Sequence, residues 1–485
     1  MLRRGSRPSG HPLLSVMALL AAVEVASGVI QGYYGPVMVD IAHDLDVRYA
    51  DLNWLEAAQL VFSALVVPPL ARWGDLVGHK RVLVVATAVT ALATWGIAFA
   101  PSFPMMLVAW TLQGTYVVWL PIEVAVVHRR TAGRPDQGRL TRRAAAILVA
   151  TLELSVIAAA VLAGQLAGQV SLTAMLVLPA VVVTACVPLL ALLEEVHGLP
   201  GGRFDWGGLV LLTLAVLAVL GGLVVIRVDG VTSLPAWLLV AVGGALLVPW
   251  WRYEDRHPDP LVDVGLLRQP AQWSVQATAF LVGVSLLGAQ VPLATYFRSD
   301  PAVHGYGFGL TAAQGSARIA FYVACLAIGA LLLGPVSRRL GTRRAMAAGC
   351  AVYALGYAAW LPLHASPGAA WGVMAVIGLG TGGLVAAVPA AAAAAAPAGR
   401  VGSATGLTNA AKTIGGGLAS SVFAICLART GSIDASGGSL AGYEAVWSIC
   451  AASGLLAAVV LVVTARSAGA ALTGVPAGPA RSPSR

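Results

Sequence analysis

The chain has 485 residues, of which 58% are hydrophobic and only 11% are charged, and its formal net charge is +9. Soluble domains contain about 45–50% apolar and about 25% charged residues, so this composition excludes a string of soluble domains. It predicts a membrane protein. Only helices and closed barrels satisfy every backbone group in lipid, and the long uninterrupted apolar runs indicate helices rather than alternating barrel strands.

Fourteen apolar runs are long enough to cross a bilayer, for which a helix needs about 20 residues. The basic N-terminus resembles a signal peptide, but its apolar run is long and many more follow, so we interpret it as helix 1. The eighth run is short, and the twelfth is the least apolar. In chain order the predicted helices occupy 13–34, 50–70, 82–100, 104–127, 144–168, 173–193, 206–227, 235–251, 273–296, 311–334, 345–364, 370–395, 405–428 and 444–465.

Lysine and arginine are distributed unequally between alternate connections. If the N-terminus is cytoplasmic, the connections on that side carry 24 of these residues and the opposite connections carry 4, while Arg318 and Lys412 lie inside predicted helices. An excess of Lys and Arg marks the cytoplasmic side, so we expect both termini there. Topology and attraction to anionic lipid then account for the net charge without a nucleic-acid partner.

A short sequence pattern occurs twice. Residues 71–81 follow helix 2, and 334–344 follow helix 10. In each, a glycine stands three residues after a charged residue and two residues before a basic pair. Two six-helix halves would place the second copy after helix 8, so an extra helix pair must lie between the halves. Parallel repeats of this kind build transporters with a central site and alternating access.

The predicted fold is therefore an all-α membrane protein with fourteen transmembrane helices arranged 6+2+6. Two pseudo-symmetric six-helix bundles surround a central cavity. We expect the N-terminal bundle at 1–195, the inserted helices 7 and 8 with their loops at 196–271, the C-terminal bundle at 272–466, and a disordered cytoplasmic tail at 467–485.

These features resemble the major facilitator superfamily, and in particular its fourteen-helix drug:proton antiporter group. The family's loop between helices 2 and 3 reads G-x-L-A-D-R-x-G-R-[RK]-[RK]. Asp75, Gly78, Lys80 and Arg81 match it, whereas Ala71 and Leu76 depart from it. Further similarity to the fourteen-helix group lies in Trp54, the Asp205-Trp206-x-Gly208 start of helix 7, and Pro260-Leu261.

The two loops are expected to act as a cytoplasmic gate, whose contacts form in one state and break in the other. We expect Asp75 to accept hydrogen bonds from a helix N-terminus of the facing half. We expect the basic residues of the loops to pair with nearby acids. The predicted gate residues are Asp75, Gly78, Lys80, Arg81, Gly341, Arg343 and Arg344.

The sequence departs from the family pattern at three places. Trp110 stands where helix 4 usually carries an Arg three residues before Gln113-Gly114, and residues 159–164 lack the proline of the antiporter signature in helix 5. Ile30 occupies the place of the group's usual Asp in helix 1. The departures leave the fold prediction intact but leave the transport direction and the coupling mechanism open.

Four glutamates, Glu24, Glu56, Glu123 and Glu153, lie inside predicted helices of the N-half. A charge inside a bilayer costs about 2.5–3.5 kcal/mol on insertion scales, so each suggests a function. Glu24 lies about 16 Å into helix 1, near the middle of a roughly 30 Å core, and Glu153 is also well inside. The resemblance implies that helices 1, 2, 4 and 5 face the central cavity.

A carboxyl group removed from water holds a proton more readily, because desolvation disfavours the anion. A proton and a cationic substrate could then compete for one carboxylate, which would couple their movements. The alternative is that each glutamate only bonds to a neighbouring helix. In the C-half, Lys412 and Arg318 are further coupling candidates. The predicted lining of the cavity is Tyr33, Gln113, Tyr116 and Trp119, for which packing in the core is the alternative.

The glycine-rich stretch 378–383 looks like a nucleotide loop, but it lies inside an apolar helix with no preceding strand, so we interpret it as a site of close helix packing. We expect no cofactor, no metal and no enzymatic activity. Arg outnumbers Lys 28 to 2, which suggests a bacterium with a G+C-rich genome.

The predicted protein is a monomeric, proton-coupled antiporter of a bacterial cell membrane that exports drug-like or antibiotic compounds by alternating access. Two alternatives stay open: an importer or facilitator with the same fold, and a membrane-embedded enzyme or sensor.

Overall fold

The computed structural model describes residues 13–195, 205–396 and 401–473, except 133, 259, 261, 263 and 432–437, and except the side chains of 75, 138, 142, 401–403 and 465–473. Nearly all regular structure in these residues is helical. Fourteen helices in this part of the chain are long and apolar enough to cross a membrane. The predicted number of spanning helices is therefore confirmed.

The spanning helices follow one another through mostly short connections. Two of them are broken: α4 contains a 3-10 turn, and α9 is interrupted at residues 287–289. The fourteen are α1 (Leu13–Tyr33), α2 (Asn53–Val77), α3 (His79–Ala98), α4 (Phe103–Gln113, Gly114–Val118 and Trp119–Arg130), α5 (Gln137–Leu166), α6 (Leu172–Ala191), α7 (Trp206–Asp229), α8 (Leu234–Glu254), α9 (Pro270–Leu286 and Gln290–Arg298), α10 (Ala312–Leu340), α11 (Thr342–Leu363), α12 (Pro367–Ala394), α13 (Val401–Arg429) and α14 (Leu440–Thr473). Short helices lie at Gly35–Val37, Met38–Asp44, Tyr49–Leu52, Val264–Leu267 and Pro301–His304.

The largest boundary differences lie at polar or weakly apolar helix ends. Helix α5 begins at Gln137, seven residues before the predicted start, and α14 continues to Thr473, so 467–473 of the predicted tail are helical. Residues 474–485 lie outside the described part. Counting apolar residues finds only the stretch that suits lipid, whereas a helix can continue beyond the bilayer.

The two bundles have the same internal arrangement. In the first, α1 packs on α5, α2 on α4 and α3 on α6; in the second, α9 packs on α13, α10 on α12 and α11 on α14. Between the bundles, α2 contacts α13 and α5 contacts α10. These two contacts are equivalent, because α2 corresponds to α10 and α5 corresponds to α13 in the repeat. This arrangement agrees with the predicted 6+2+6 order.

The inserted helices α7 and α8 pack mainly on each other. Helix α7 also touches α13 and α2, so the pair lies beside a seam between the bundles. Arg227 near the end of α7 bonds to Asp51 at 2.7 Å and accepts a hydrogen bond on its carbonyl from Arg429 at 2.8 Å. One residue of the inserted pair therefore contacts both halves.

The glycine-rich stretch of α12 lies where three helices approach closely. A Cβ added at Gly378 would lie 2.8 Å from the Tyr322 carbonyl of α10, and one at Gly380 would lie 2.8 Å from the Gly349 carbonyl of α11. At Gly382 an added Cβ would collide with the Leu326 carbonyl. The interpretation of this stretch as a packing surface is confirmed.

We expect Gly382→Ala to destabilise the folded protein by about 1–3 kcal/mol, because the new methyl group meets a rigid backbone carbonyl and must push α10 away from α12. Gly372→Ala on the same helix is the matched control, since nothing lies within 4 Å of its added Cβ. Thermal unfolding of the purified proteins in detergent measures the difference. Equal unfolding temperatures for both variants would contradict the close approach.

Candidate functional site

The two copies of the loop pattern adopt the same backbone turn. Gly78, between α2 and α3, has a φ of 115°, and Gly341, between α10 and α11, has a φ of 80°. Positive φ values strain residues with a side chain, so both turns require glycine. The repeated glycine thus serves the geometry of the turn between two helices.

Glu195, which follows α6, holds the first turn of α3. Its two carboxylate oxygens accept hydrogen bonds from the backbone N–H groups of Lys80 and Arg81, both at 3.1 Å. The Lys80 ammonium donates to the Ala191 carbonyl at 2.8 Å. A carboxylate at a helix N-terminus satisfies free N–H groups and opposes the helix dipole. All these contacts lie within the N-half.

The remaining predicted gate residues make fewer hydrogen bonds in the described part of the structure. Arg343 donates to the Ser274 hydroxyl at 3.2 Å, which lies within the C-half. The side chain of Asp75 lies outside the described part of the structure. Sequence reasoning missed Glu195; the signal that could have found it is the acidic pair 194–195 directly after a spanning helix.

Glu24 of α1 and Glu123 of α4 form a buried pair. Both residues are 0% exposed, and their carboxyl groups lie within hydrogen-bonding reach of each other. Among the described residues, no N–H or O–H group donates to any of their four carboxyl oxygens. An O–H···O bond between them therefore requires that one of the two carry a proton.

The surroundings of this pair are almost entirely apolar. Val23, Trp119, Ile122 and Val126 belong to the hydrophobic cluster that encloses it. The Cys186 thiol of α6 is directed to the Ala22 and Val182 carbonyls, at 3.8 and 3.5 Å. Among the described residues, the pair thus has no counter-charge of its own.

Gln113 is the centre of a hydrogen-bond network that joins four helices of the N-half. Its amide nitrogen donates to the Tyr34 hydroxyl at 3.1 Å and to the Thr94 hydroxyl at 3.0 Å, and its amide oxygen accepts from Gln59 at 3.1 Å. The 3-10 turn that follows frees the Gly114 carbonyl, which accepts from Ser63 at 2.8 Å. Buried polar groups in lipid need such partners.

Trp110 fills the place where the family usually has an arginine. It is 3% exposed, and its ring lies 4.7 Å from that of Tyr34. The Trp110 carbonyl also accepts a hydrogen bond from Gln59 at 3.2 Å. An aromatic packing contact therefore replaces a cation at this position.

A cavity of about 80 Å³ lies beside this network. Glu56, Gln113 and Tyr116 line it, together with Tyr34 and, from the second half, Gln290. Tyr33 and Trp119 do not line it; both are 0% exposed and pack in the hydrophobic clusters of the N-half. Of the predicted lining, Gln113 and Tyr116 therefore reach this cavity, and Tyr33 and Trp119 do not.

Glu153 of α5 and Lys412 of α13 lie across the interface of the two halves. Both are partly buried, and they are close enough to attract each other electrostatically, although no ion pair within 4.0 Å joins these two described side chains. Glu153 and Lys412 thus place one acid and one base on the two sides of the interface between the halves.

Arg318 lies apart from these groups. Its guanidinium stacks over the ring of Trp371 at 5.0 Å and approaches Phe308 at 5.9 Å. It donates to the Pro367 carbonyl at the start of α12. These contacts give Arg318 a packing role near the ends of α10 and α12.

The end of the bundle at which α1 begins carries most of the basic residues and is called the basic end below. The two halves are joined at the opposite end. Arg298 forms a bidentate ion pair with Asp40 at 2.6 and 3.0 Å and donates to the Pro36 carbonyl at 2.7 Å. Ser420 donates to the Asn53 carbonyl at 2.9 Å. The opposite end is therefore closed.

In the described part of the chain, two related bundles of six spanning helices, an inserted helix pair and polar groups at the interface of the bundles define a multi-pass membrane transporter. The sequence matches the profile of the Major Facilitator Superfamily over residues 20–420 and 303–483. The chain belongs to this family.

Characterised relatives differ in what they carry. The uridine/deoxyuridine transporter of Lactococcus lactis is 23% identical over 338 residues, which cover 68% of each chain. The tetracenomycin C resistance and export protein of Streptomyces glaucescens is 24% identical over 421 residues, which cover 84% of this chain and 76% of that one. An auto-inhibited POT family peptide transporter has the same fold, with a TM-score of 0.66 at 15% identity over 93% of this chain and 97% of that chain.

We expect Asp40→Asn to loosen the closed end, because it removes the charge that holds Arg298. A cysteine in place of Gln290, which lines the cavity, reports the opening through its reaction with a membrane-impermeant maleimide. Partly exposed ion pairs contribute about 0.2–1 kcal/mol, so the labelling rate should rise by up to about fivefold. Asp44→Asn is the matched control, since Asp44 is exposed and close by. Identical rates in both variants would contradict a role for the ion pair.

Proposed function

We propose that this transporter exports small organic compounds in exchange for protons, by alternating access. The observation that carries the proposal is the Glu24–Glu123 pair, two buried carboxyl groups without a donor or counter-charge among the described residues. Two carboxylates in one apolar site repel each other and lose hydration, so at least one carboxyl group of the pair should hold a proton. A site that holds a proton inside the membrane can couple its movement to that of a substrate.

Trp110, at the place of the family arginine in α4, carries no charge and packs against Tyr34. No described cation neutralises the buried acid of α1. Glu123 lies 13 residues after Trp110 on α4, and we propose that it is the partner of Glu24. Loss of the shared proton would leave uncompensated charge in an apolar cluster, which is costly and favours a rearrangement of the surrounding helices. Proton release and conformational change are thereby linked.

The substrate site is proposed at the interface of the halves, between Glu153 and Lys412. Because the opposite end is closed by Asp40 and Arg298, access to this region is proposed from the basic end. A compound that enters there would meet one acidic and one basic group. The alternate state would open the opposite end and close the loops around Gly78 and Gly341, which form the proposed gate together with Asp75.

The proposed location is a bacterial cell membrane with the basic end in the cytoplasm. Basic residues support this orientation, because 24 of them lie on one side and 4 lie in connections on the other. An excess of Lys and Arg marks the cytoplasmic side. Access from the basic end then means access from the cytoplasm, as an exporter requires. The Streptomyces export protein favours the same direction.

The second candidate is an importer or facilitator of a small solute. The observation that favours it is the similarity to the uridine/deoxyuridine transporter, together with the absence of the arginine in α4 and of the proline in residues 159–164. A facilitator would move its substrate down its gradient without proton movement. The two candidates therefore differ in their response to a pH gradient.

We expect Glu24→Gln and Glu123→Gln each to abolish transport driven by a pH gradient while keeping counterflow exchange of substrate. Glutamine preserves size and hydrogen bonding but cannot titrate, so the substitution separates protonation from packing. The assay uses proteoliposomes with an imposed pH gradient and a panel of antibiotics and nucleosides. Glu153→Gln should give a milder loss.

Glu194→Gln is the control, because Glu194 is an exposed residue that pairs with Arg130 at 3.7 Å outside the membrane core. Undiminished gradient-driven transport by both pair variants would remove the proton site from Glu24 and Glu123. Transport by the parent that ignores the pH gradient would instead support the facilitator.

A further inference from the structure

An open pocket of about 430 Å³ lies at the basic end of α8, on the inserted helix pair. Its walls combine arginines, aromatic rings and two prolines that restrict the backbone. The pocket is remote from the interface of the halves and takes no part in the proposed transport cycle. Its lining is Pro249, Arg252, Tyr253, Arg256, His257 and Pro258.

The two arginines of the pocket are not neutralised by described acids. Arg252 lies in the last turn of α8 and Arg256 lies two residues beyond its end; both are exposed, and neither forms an ion pair with another described residue. The neighbouring Asp255 is already bound to Arg268 at 2.8 Å. Glu254 is 1% exposed and accepts a hydrogen bond from the Val262 backbone at 3.2 Å. Two guanidinium groups are therefore available to an anion.

The ring of His257 adds a third polar group. It stacks on the ring of Tyr253 at 5.4 Å with an interplanar angle of 27°. Its Nδ1 atom is buried and lacks a hydrogen-bond partner among the described residues. A ligand with several acceptor or donor oxygens could satisfy this nitrogen together with the guanidinium groups.

An exposed apolar stripe of α8 leads directly into the pocket. Leu238, Val242, Ala245 and Pro249 follow one another at helical spacings of four, three and four residues, and Arg252 continues the same line. Leu238 is 55% and Val242 is 51% exposed. From Leu238 to Arg252 the stripe is about 21 Å long at about 1.5 Å per residue, which exceeds half of a roughly 30 Å hydrocarbon core.

We propose that this surface binds an anionic phospholipid, with its phosphate in the pocket and an acyl chain along the stripe. A guanidinium group matches phosphate oxygens with two parallel hydrogen bonds, which an ammonium group cannot do. A soluble phosphate compound would need the pocket alone, whereas a phospholipid would use both the pocket and the continuous apolar stripe. The positive charge at the C-terminal end of α8 also opposes the helix dipole, but that role needs no pocket.

The test uses native mass spectrometry of the purified full chain, titrated with phosphatidylglycerol and with phosphatidylethanolamine of the same acyl chains. We expect the parent to retain phosphatidylglycerol in preference to phosphatidylethanolamine. Arg252→Gln/Arg256→Gln should weaken its retention by about tenfold or more, because two cationic contacts near the membrane surface are lost. Arg338→Gln/Arg339→Gln is the control, since it removes the same charge from exposed residues at the basic end of α10.

A conservative variant keeps the test decisive if the glutamine variant does not fold. Arg252→Lys/Arg256→Lys retains both charges but loses the bidentate geometry, so its retention of phosphatidylglycerol should fall between the parent and the glutamine variant. Two results would contradict the proposed site, because either would show that general charge attraction explains the binding. One is that the lysine variant retains phosphatidylglycerol as well as the parent does. The other is that the control loses as much retention as the glutamine variant. Displacement of the lipid by millimolar inorganic phosphate would overturn the choice of a lipid over a soluble phosphate.

Discussion

Helices in a bilayer gain little by burying apolar side chains against one another, because lipid is equally apolar. Close association must then come from shape, and in this protein the small residues supply it. A Cβ at Gly28 of α1 would lie 2.7 Å from the Leu152 carbonyl of α5, and Gly283 of α9 approaches the backbone of Lys412 in α13 in the same way. The two bundles thus use equivalent glycine contacts, and the closeness of these contacts sets where the polar residues face.

The position of the carboxyl pair follows from these contacts. Glu24 lies one helical turn from Gly28 on the same face of α1, so the tight seam with α5 fixes its direction. On the other side of the bundle, the 3-10 turn at Gly114–Val118 changes the course of α4 before Glu123. The two side chains meet in an apolar cluster, within hydrogen-bonding reach of each other. The contact of Lys412 with α9 similarly holds its side chain opposite Glu153.

Much of the fold could be predicted from the sequence, because the thickness of the bilayer sets helix length and the basic residues mark alternate connections. The glycine pattern at Gly78 and Gly341 identified the repeat, since both turns need a positive φ. Glu24 and Glu123 were each conspicuous as acids within apolar runs. Their pairing was not predictable, because it depends on the rotation of α4 after its irregular turn.

The lining of the cavity was also only partly predictable from the sequence. Tyr33 and Tyr34 are adjacent in the sequence, yet only Tyr34 lines the cavity, because one residue rotates the side chain by about 100° around a helix. Which of the two faces inward depends on neighbouring helices that lie far away in the sequence. Glu195 was missed for the same reason. Its role depends on the nearness of α3, which periodicity alone does not reveal.

The central claim is that substrate binding and proton release are coupled through the Glu24–Glu123 pair. The most direct test measures proton release when a transported compound binds to the purified protein in weakly buffered detergent solution, with a pH-indicator dye. We expect the parent to release protons on binding, and the release to disappear in Glu24→Gln and Glu123→Gln although both still bind the compound. Undiminished release by both variants, or none from the parent across the pH range in which it binds substrate, would contradict the claim.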